Sequence, residues 1–200
     1  MTVWTISAAL GAGGREVAEE LAARAGVPLY DRHALADLLH ELEPEVSGID
    51  DVDELEERVG GRLNAFALSA ALLAGAGDAF HELQLRQTLP ELGRTVIHQA
   101  ASGPAVIFAP AAFAALRDHP AAVHVRLTAP FEWRAEAYAR DELADRAAAE
   151  KAVRHDDHCK RAWVRTLYGL DLNDPALFTV VADASRLPRE RLVEMLRAAG

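Results

Sequence analysis

The residues best placed to do chemistry in this chain form a glycine turn close to its start. Gly11-Ala12-Gly13-Gly14-Arg15 follows a short β-prone run, Val3 to Ser7, and leads into a stretch of helical spacing. A strand, a glycine turn and a helix start bring backbone N–H groups and the positive end of a helix dipole to one point. That geometry binds phosphate. Glycine belongs there because a side chain would block close approach. Arg15 adds a charged, planar fork that grips phosphate rather than meeting it as a point charge. The pattern G-x-x-x-x-G-K-[ST] is absent, and after Arg15 come Glu16 and Val17 where a hydroxyl would meet Mg²⁺. Taken alone, the glycines also fit a tight βα turn that binds nothing.

Other reactive side chains carry less. His155, His158 and Cys159 would share one helical face, but a metal site needs further ligands and no second cluster accompanies them. The sequence gives no metal site, and the segment reads as a solvated helix. Trp4, Trp133 and Trp163 read as packing residues, with stacking on a base left open for Trp163. His124 alternates with Val123 and Val125 and reads as a histidine at the edge of the core or on the surface.

These residues need a scaffold, and the pattern of the chain supplies one. Arg15 to Ala25 places Val17, Ala18, Leu21 and Ala22 on one face and ends at Gly26. Val27 to Tyr30 is a second strand, and Asp31 is placed to cap a helix over Arg32 to Glu41. This βαβα opening predicts a parallel sheet. An acidic excursion follows over Glu43 to Glu57, then helices over Leu63 to Ala74 and Ala79 to Ala101, the second kinked near Pro90. Further strands are expected at Ala105 to Ala109, Val123 to Thr128 and Phe178 to Ala182. Helices are expected at Ala111 to Arg117, Pro130 to Asp141, then to Val153, Asp156 to Tyr168 and Pro188 to Ala199. Arg134 to Arg165 is dense in arginine and polar helix formers and reads as a mobile cover rather than core.

The bulk properties bound the function. The chain has 200 residues, 50% of them hydrophobic and 26% charged, enough for one sizeable core. The single cysteine, Cys159, excludes an internal disulfide, and the start MTVWTIS lacks a basic leader, so a cytoplasmic protein is expected. The longest apolar stretch, Ala65 to Ala76, falls short of the about 20 residues that span a bilayer. A net charge of −10 argues against nucleic acid as a partner, while a local arginine cluster remains able to hold a small anion. The Ala- and Leu-rich helix at 63–74 suits deep burial or a homodimer interface.

With these residues assembled, the chain resembles the cytidylate kinase-like family. The resemblance rests on ISAALGAGGREVAEELAARAGVPLYDRHAL, VIHQAASGPAVIF, HPAAVHVRLTAPFEWR, DDHCKRAWVRTLYGLDLNDPALF and VVADASRL, in order along nearly the whole chain. It implies an α/β, three-layer P-loop NTPase-like fold, a parallel sheet of about five strands flanked by helices with a helical lid. One domain would span 1–200, with a helical insertion on the acceptor side at about 42–102 and the lid with adjoining helices at about 130–170. It implies an ATP-dependent phosphotransferase acting on a nucleotide or other small phosphate acceptor, with Mg²⁺ accompanying ATP. The donor phosphates would lie on Gly11, Ala12, Gly13, Gly14, Arg15, Glu16 and Val17. Asp31, Arg32 and Arg134 would face the acceptor. Arg140, Arg154, Asp157 and Lys160 belong to the lid, and Arg15, Lys160 and Arg161 would act on the transferred group.

The chain departs from that family in four stretches. Ala8-Ala9 stand where an arginine precedes the glycine loop, and Ala109-Pro110-Ala111-Ala112 match a G-R-G-A whose arginine would hold the acceptor phosphate. Asp157-His158-Cys159-Lys160 replaces Asp-x-x-Arg, and Asp183-Ala184 replaces Asn-Thr or Asp-Thr. These departures imply an altered acceptor site, or a non-catalytic nucleotide-binding or scaffolding descendant that keeps the fold.

Overall fold

The structure is a computed structural model and describes residues 1–42 and 93–200. The acidic excursion, the 63–74 helix and most of the 79–101 helix lie outside the described residues, and so does the bulk of the expected insertion.

Five strands form one parallel sheet: β1 (Val3–Ala8), β2 (Leu29–Tyr30), β3 (Ala105–Phe108), β4 (Ala122–Thr128) and β5 (Val180–Asp183). Their order is β2-β3-β1-β4-β5, so β1 lies at the centre and every residue of it is buried. Parallel neighbours require long crossovers. The described helices in those connections are α1 (Gly14–Ala25), α2 (Arg32–Leu42), α3 (helical over 93–100), α4 (Ala112–Ala115), α5 (Phe131–Asp141) and α6 (Arg146–Tyr168), and α7 (Arg189–Ala198) follows the last strand.

The two faces of the sheet differ in chemistry. On one, Trp4, Ile6 and Ala8 of β1 and Val123, Val125 and Leu127 of β4 pack with Val17 and Leu21 of α1 and Leu192, Val193 and Leu196 of α7. On the other, Val3, Ala105 and Ile107 meet Leu35 of α2, Ile97 of α3, Phe113 of α4 and Trp163 and Val164 of α6. Because side chains alternate along a strand, this second face also receives Thr5 and Ser7 of β1 with His124, Arg126 and Thr128 of β4. Thr5 and Ser7 are 1% and 2% exposed, so each hydroxyl needs a partner. Thr5 Oγ1 lies 2.8 Å from His124 Nδ1, and Ser7 Oγ donates to the Pro110 carbonyl.

Burial holds the His124 imidazole below its ordinary value of 6.5. The folded protein therefore binds that proton less readily than the unfolded chain does. The stabilisation is complete above about 6.5 and is lost as pH falls through the lowered folded value. Denaturation at pH 7.5 and 5.5 is expected to show a larger loss of stability for the parent chain than for His124→Gln. Equal losses would reject His124 as the source.

Two expectations differ from the structure. The polar stretch to Val153 and the helix from Asp156 are one continuous helix, α6, capped by Asp145 Oδ1 on the Ala148 N–H. No glycine or proline interrupts residues 146–168, so nothing breaks the hydrogen-bond ladder. Nor is this segment only a cover, because Val153, Cys159, Trp163 and Val164 are buried along one stripe of α6. Exposed arginines along the same helix, Arg154 and Arg165 among them, mask that stripe in the sequence.

Candidate functional site

The glycine turn leaves the C-terminal end of β1 in the middle of the sheet and opens α1. The Ala12 N–H closes a tight bond onto the Ala9 carbonyl, and Gly13, with φ 69°, is the N-cap of α1. Val17 is the first residue whose N–H reaches back along the helix, 3.2 Å to the Gly13 carbonyl. Among the described residues, no side chain caps the donors before it, on Gly14, Arg15 and Glu16. By contrast, Asp31 Oδ1 accepts from the His33 and Ala34 N–H groups and caps α2. Among the described residues, the start of α1 therefore presents N–H groups and a helix dipole without a capping acceptor.

The three glycines have different reasons to be there. A Cβ at Gly11, whose φ is 78°, would collide with the Arg134 carbonyl. A Cβ at Gly14 would collide with the Ala8 side chain and press on the Phe108 ring. Only Gly13 faces open space, with Glu16 Oε2 3.9 Å from where its Cβ would be. Gly13 thus leaves room for a ligand, whereas Gly11 and Gly14 make room for the protein itself.

Arg15 reaches across the front of this turn and pairs with Asp31 Oδ2 at 3.1 Å, while remaining half exposed. Asp31 is consumed by that pair and by its capping bonds, so it positions Arg15 and α2. Arg32, beside it, is exposed and donates from Nε to His33 Nε2. Two members of the expected loop face inward. Val17 is 2% exposed and Ala12 1%, so they join the ligand only through their backbone.

Arg134 belongs to the scaffold more than to a ligand. It is 6% exposed, and Nε donates to the Ala129 carbonyl while Nη1 donates to the Leu10 carbonyl. Both Nη atoms hold the Asp157 carboxylate, at 3.0 and 2.8 Å. One side chain thereby ties α5, α6 and the glycine turn together. Lys160 does the same on a smaller scale, with Nζ donating to the Ala8 carbonyl at 3.2 Å and pairing with Asp156 at 3.0 Å. Arg154 pairs with Glu150 and lies 4.3 Å from the Phe131 ring centroid, and Arg140 pairs with neighbouring Asp141 in solvent.

Between the loop and α6 lies a cavity of about 180 Å³. Its wall carries Arg126, Arg134, Lys160 and Arg161 with a single carboxylate, Asp157. Arg126 is the residue that sequence reasoning missed. It hides in the strand run VHVRLT, where alternation places it on the α6 face opposite Ser7. A charged residue within a buried parallel strand was the available signal.

The family model for the cytidylate kinase-like family matches residues 3–186. The chain belongs to the cytidylate kinase-like family. The chain is also similar to solved structures. An uncharacterized protein from Eubacterium ventriosum ATCC 27560 superposes with a TM-score of 0.68 at 14% identity, covering 100% of this chain and 98% of that one. TT1252 from Thermus thermophilus gives 0.52 at 19% identity, covering 99% and 97%. Shikimate kinase from Bacteroides thetaiotaomicron gives 0.49 at 15% identity, covering 99% and 97%. No curated protein matches the chain. Among the described residues no helix is long and apolar enough to cross a membrane.

Proposed function

We propose that the chain is an ATP-dependent phosphotransferase of the cytidylate or nucleoside-monophosphate kinase type with an altered acceptor site. The observation that supports this reading is the start of α1, whose N–H groups have no capping side chain among the described residues and lie beside an arginine held by Asp31. These groups suit the phosphates of ATP. Gly14, Arg15 and Glu16 would donate backbone N–H bonds, and Arg15 would balance the charge that spreads over the transferred group. The γ-phosphoryl group passes to a hydroxyl or phosphate oxygen of the acceptor, leaving ADP. Mg²⁺ would come with ATP and balance phosphate charge. The loop gives it no hydroxyl, because Val17 stands there and is buried.

The acceptor site is where this chain departs. β3 runs into Pro110, which brings neither charge nor N–H, and its carbonyl is taken by Ser7. That observation also favours a second reading, a nucleotide-binding descendant without phosphotransfer. Both are tested by titrating ATP with Mg²⁺ and following ADP formation over a panel of nucleotides and other small acceptors. ADP above background with any acceptor rejects the non-catalytic reading. No ATP binding at millimolar concentration rejects both.

Arg15→Ala is expected to weaken ATP binding at least about tenfold, since a charge-assisted hydrogen bond contributes roughly 1.5–3 kcal/mol. Its melting temperature should change little, because an exposed ion pair such as Arg15–Asp31 contributes about 0–1 kcal/mol. Calorimetric titration checks the first statement and thermal denaturation the second. Unchanged ATP affinity would remove Arg15 from the donor site.

A further inference from the structure

We infer that the cavity beneath α6 is an oxyanion pocket in which Arg126 and Arg161 take a phosphate-sized group of the acceptor. The inference rests on the kinase reading above, and begins from a balance of charge. Of the four cations on the cavity wall, Arg134 is engaged by Asp157 and Lys160 by Asp156. No described carboxylate lies within ion-pair distance of Arg126 or Arg161. Among the described residues, the cavity wall therefore carries two guanidinium groups without an ion-pair partner, in a chain whose net charge is −10.

For Arg126 this is costly. It is partly buried, and burial pulls its pKa down, the sign of a charge taken from water. A guanidinium does not escape by losing its proton. Its one hydrogen bond to a described residue runs from Nη1 to the Ser7 carbonyl at 3.3 Å, a long contact to a neutral acceptor. The rest of the planar fork is left for the cavity, where a bidentate oxyanion would satisfy it. Thr128 and Asn173 line the same space and can donate neutral hydrogen bonds.

Size selects the ligand. A cavity of about 180 Å³ is smaller than the roughly 300–1,000 Å³ of a pocket that encloses a whole small molecule. It suits one phosphate-sized group with a few waters, at about 30 Å³ each. Position supports the assignment. Ser7 links the two strands that flank β1, donating from Oγ to the Pro110 carbonyl and accepting Arg126 on its own carbonyl. A cation thus stands across β1 from the uncharged end of β3, and Ala9, at the entrance to the glycine turn, is part of the cavity wall.

The experiment uses the full chain and inorganic phosphate as the probe, followed by thermal shift and calorimetric titration in the presence of a non-hydrolysable ATP analogue. Millimolar phosphate is expected to raise the melting temperature, with binding at least roughly tenfold weaker in Arg126→Met. Arg161→Gln, exposed and on α6, should weaken it in the same direction and guards against a folding defect in the first variant. A nucleoside monophosphate that binds more tightly than equimolar phosphate, with the gain lost in Arg126→Met, assigns the pocket to the acceptor. Equal binding of the two assigns it to free phosphate and overturns the acceptor assignment. Phosphate binding that is the same in the parent and in both variants, or absent from all three, overturns the pocket. Affinity for the ATP analogue is read in the same titrations, so failure of the donor site is seen separately from failure of this pocket.

Discussion

Arg134→Met is expected to lower the stability of the folded chain by about 3–5 kcal/mol, toward the lower figure because Asp157 keeps some contact with water. The substitution removes a guanidinium that is 6% exposed and four hydrogen bonds, two of them to the Asp157 carboxylate. What remains is a carboxylate on α6 facing the space its partner left, and that loss dominates the effect. For a protein of this size the drop corresponds to about 6–20 °C in melting temperature. Thermal and urea denaturation measure it. Replacing both partners, Arg134→Met with Asp157→Leu, should recover much of the loss, because no unpaired charge is then left. If Arg134→Met melts within about 2 °C of the parent, the pair is not the bolt described here.

Gly11→Ala is expected to cost about 2–5 kcal/mol and to weaken ATP binding as well. Two effects combine. A residue with a side chain at φ 78° costs roughly 1–2 kcal/mol. Its Cβ would also meet the Arg134 carbonyl, so either the turn or α5 must move, at about 1–3 kcal/mol. Gly13→Ala is the control, because its φ of 69° brings the same backbone cost with open space around the Cβ. It should cost only about 1–2 kcal/mol. Denaturation and ATP titration of the two variants side by side test the distinction. Equal stability losses would show that the Arg134 contact does not fix the turn.

Both predictions concern residues that the sequence marks without showing what they touch. Arg134 is conspicuous as the end of APFEWR, and its expected place was the acceptor side. Its burial and its four bonds make it a clamp among three elements as well as part of the cavity wall. Asp31 likewise spends its oxygens on capping α2 and holding Arg15. The glycines were read as room for phosphate, which holds in the structure's geometry only for Gly13. No local pattern tells a glycine that faces a ligand from one that faces a carbonyl more than 100 residues away.

The elements themselves are legible because their signals are local. A β-prone run, a glycine turn and a 3.6-residue apolar spacing fix β1, the turn and α1 within a few neighbours, and Gly26 ends α1 where the pattern does. The alternation of strands with helices implies a parallel sheet, and β1, β3 and β4 fall within a residue or two of their expected bounds. The strand order β2-β3-β1-β4-β5 is a tertiary matter, since it depends on which edges meet across crossovers.

By itself, then, the sequence determined the glycine turn, the helix that opens from it and an uncharged proline at position 110. Only the tertiary structure decided that Arg134 and Asp157 are a bolt, and that Arg126 points from β4 into a cavity beneath α6. The reason is physical. A residue's type and its neighbours along the chain set its local conformation, but its charge partners come from segments far away in sequence. Ser7 and Arg126 meet because β1 and β4 are register partners, and Asp157 reaches Arg134 because α6 folds back on α5.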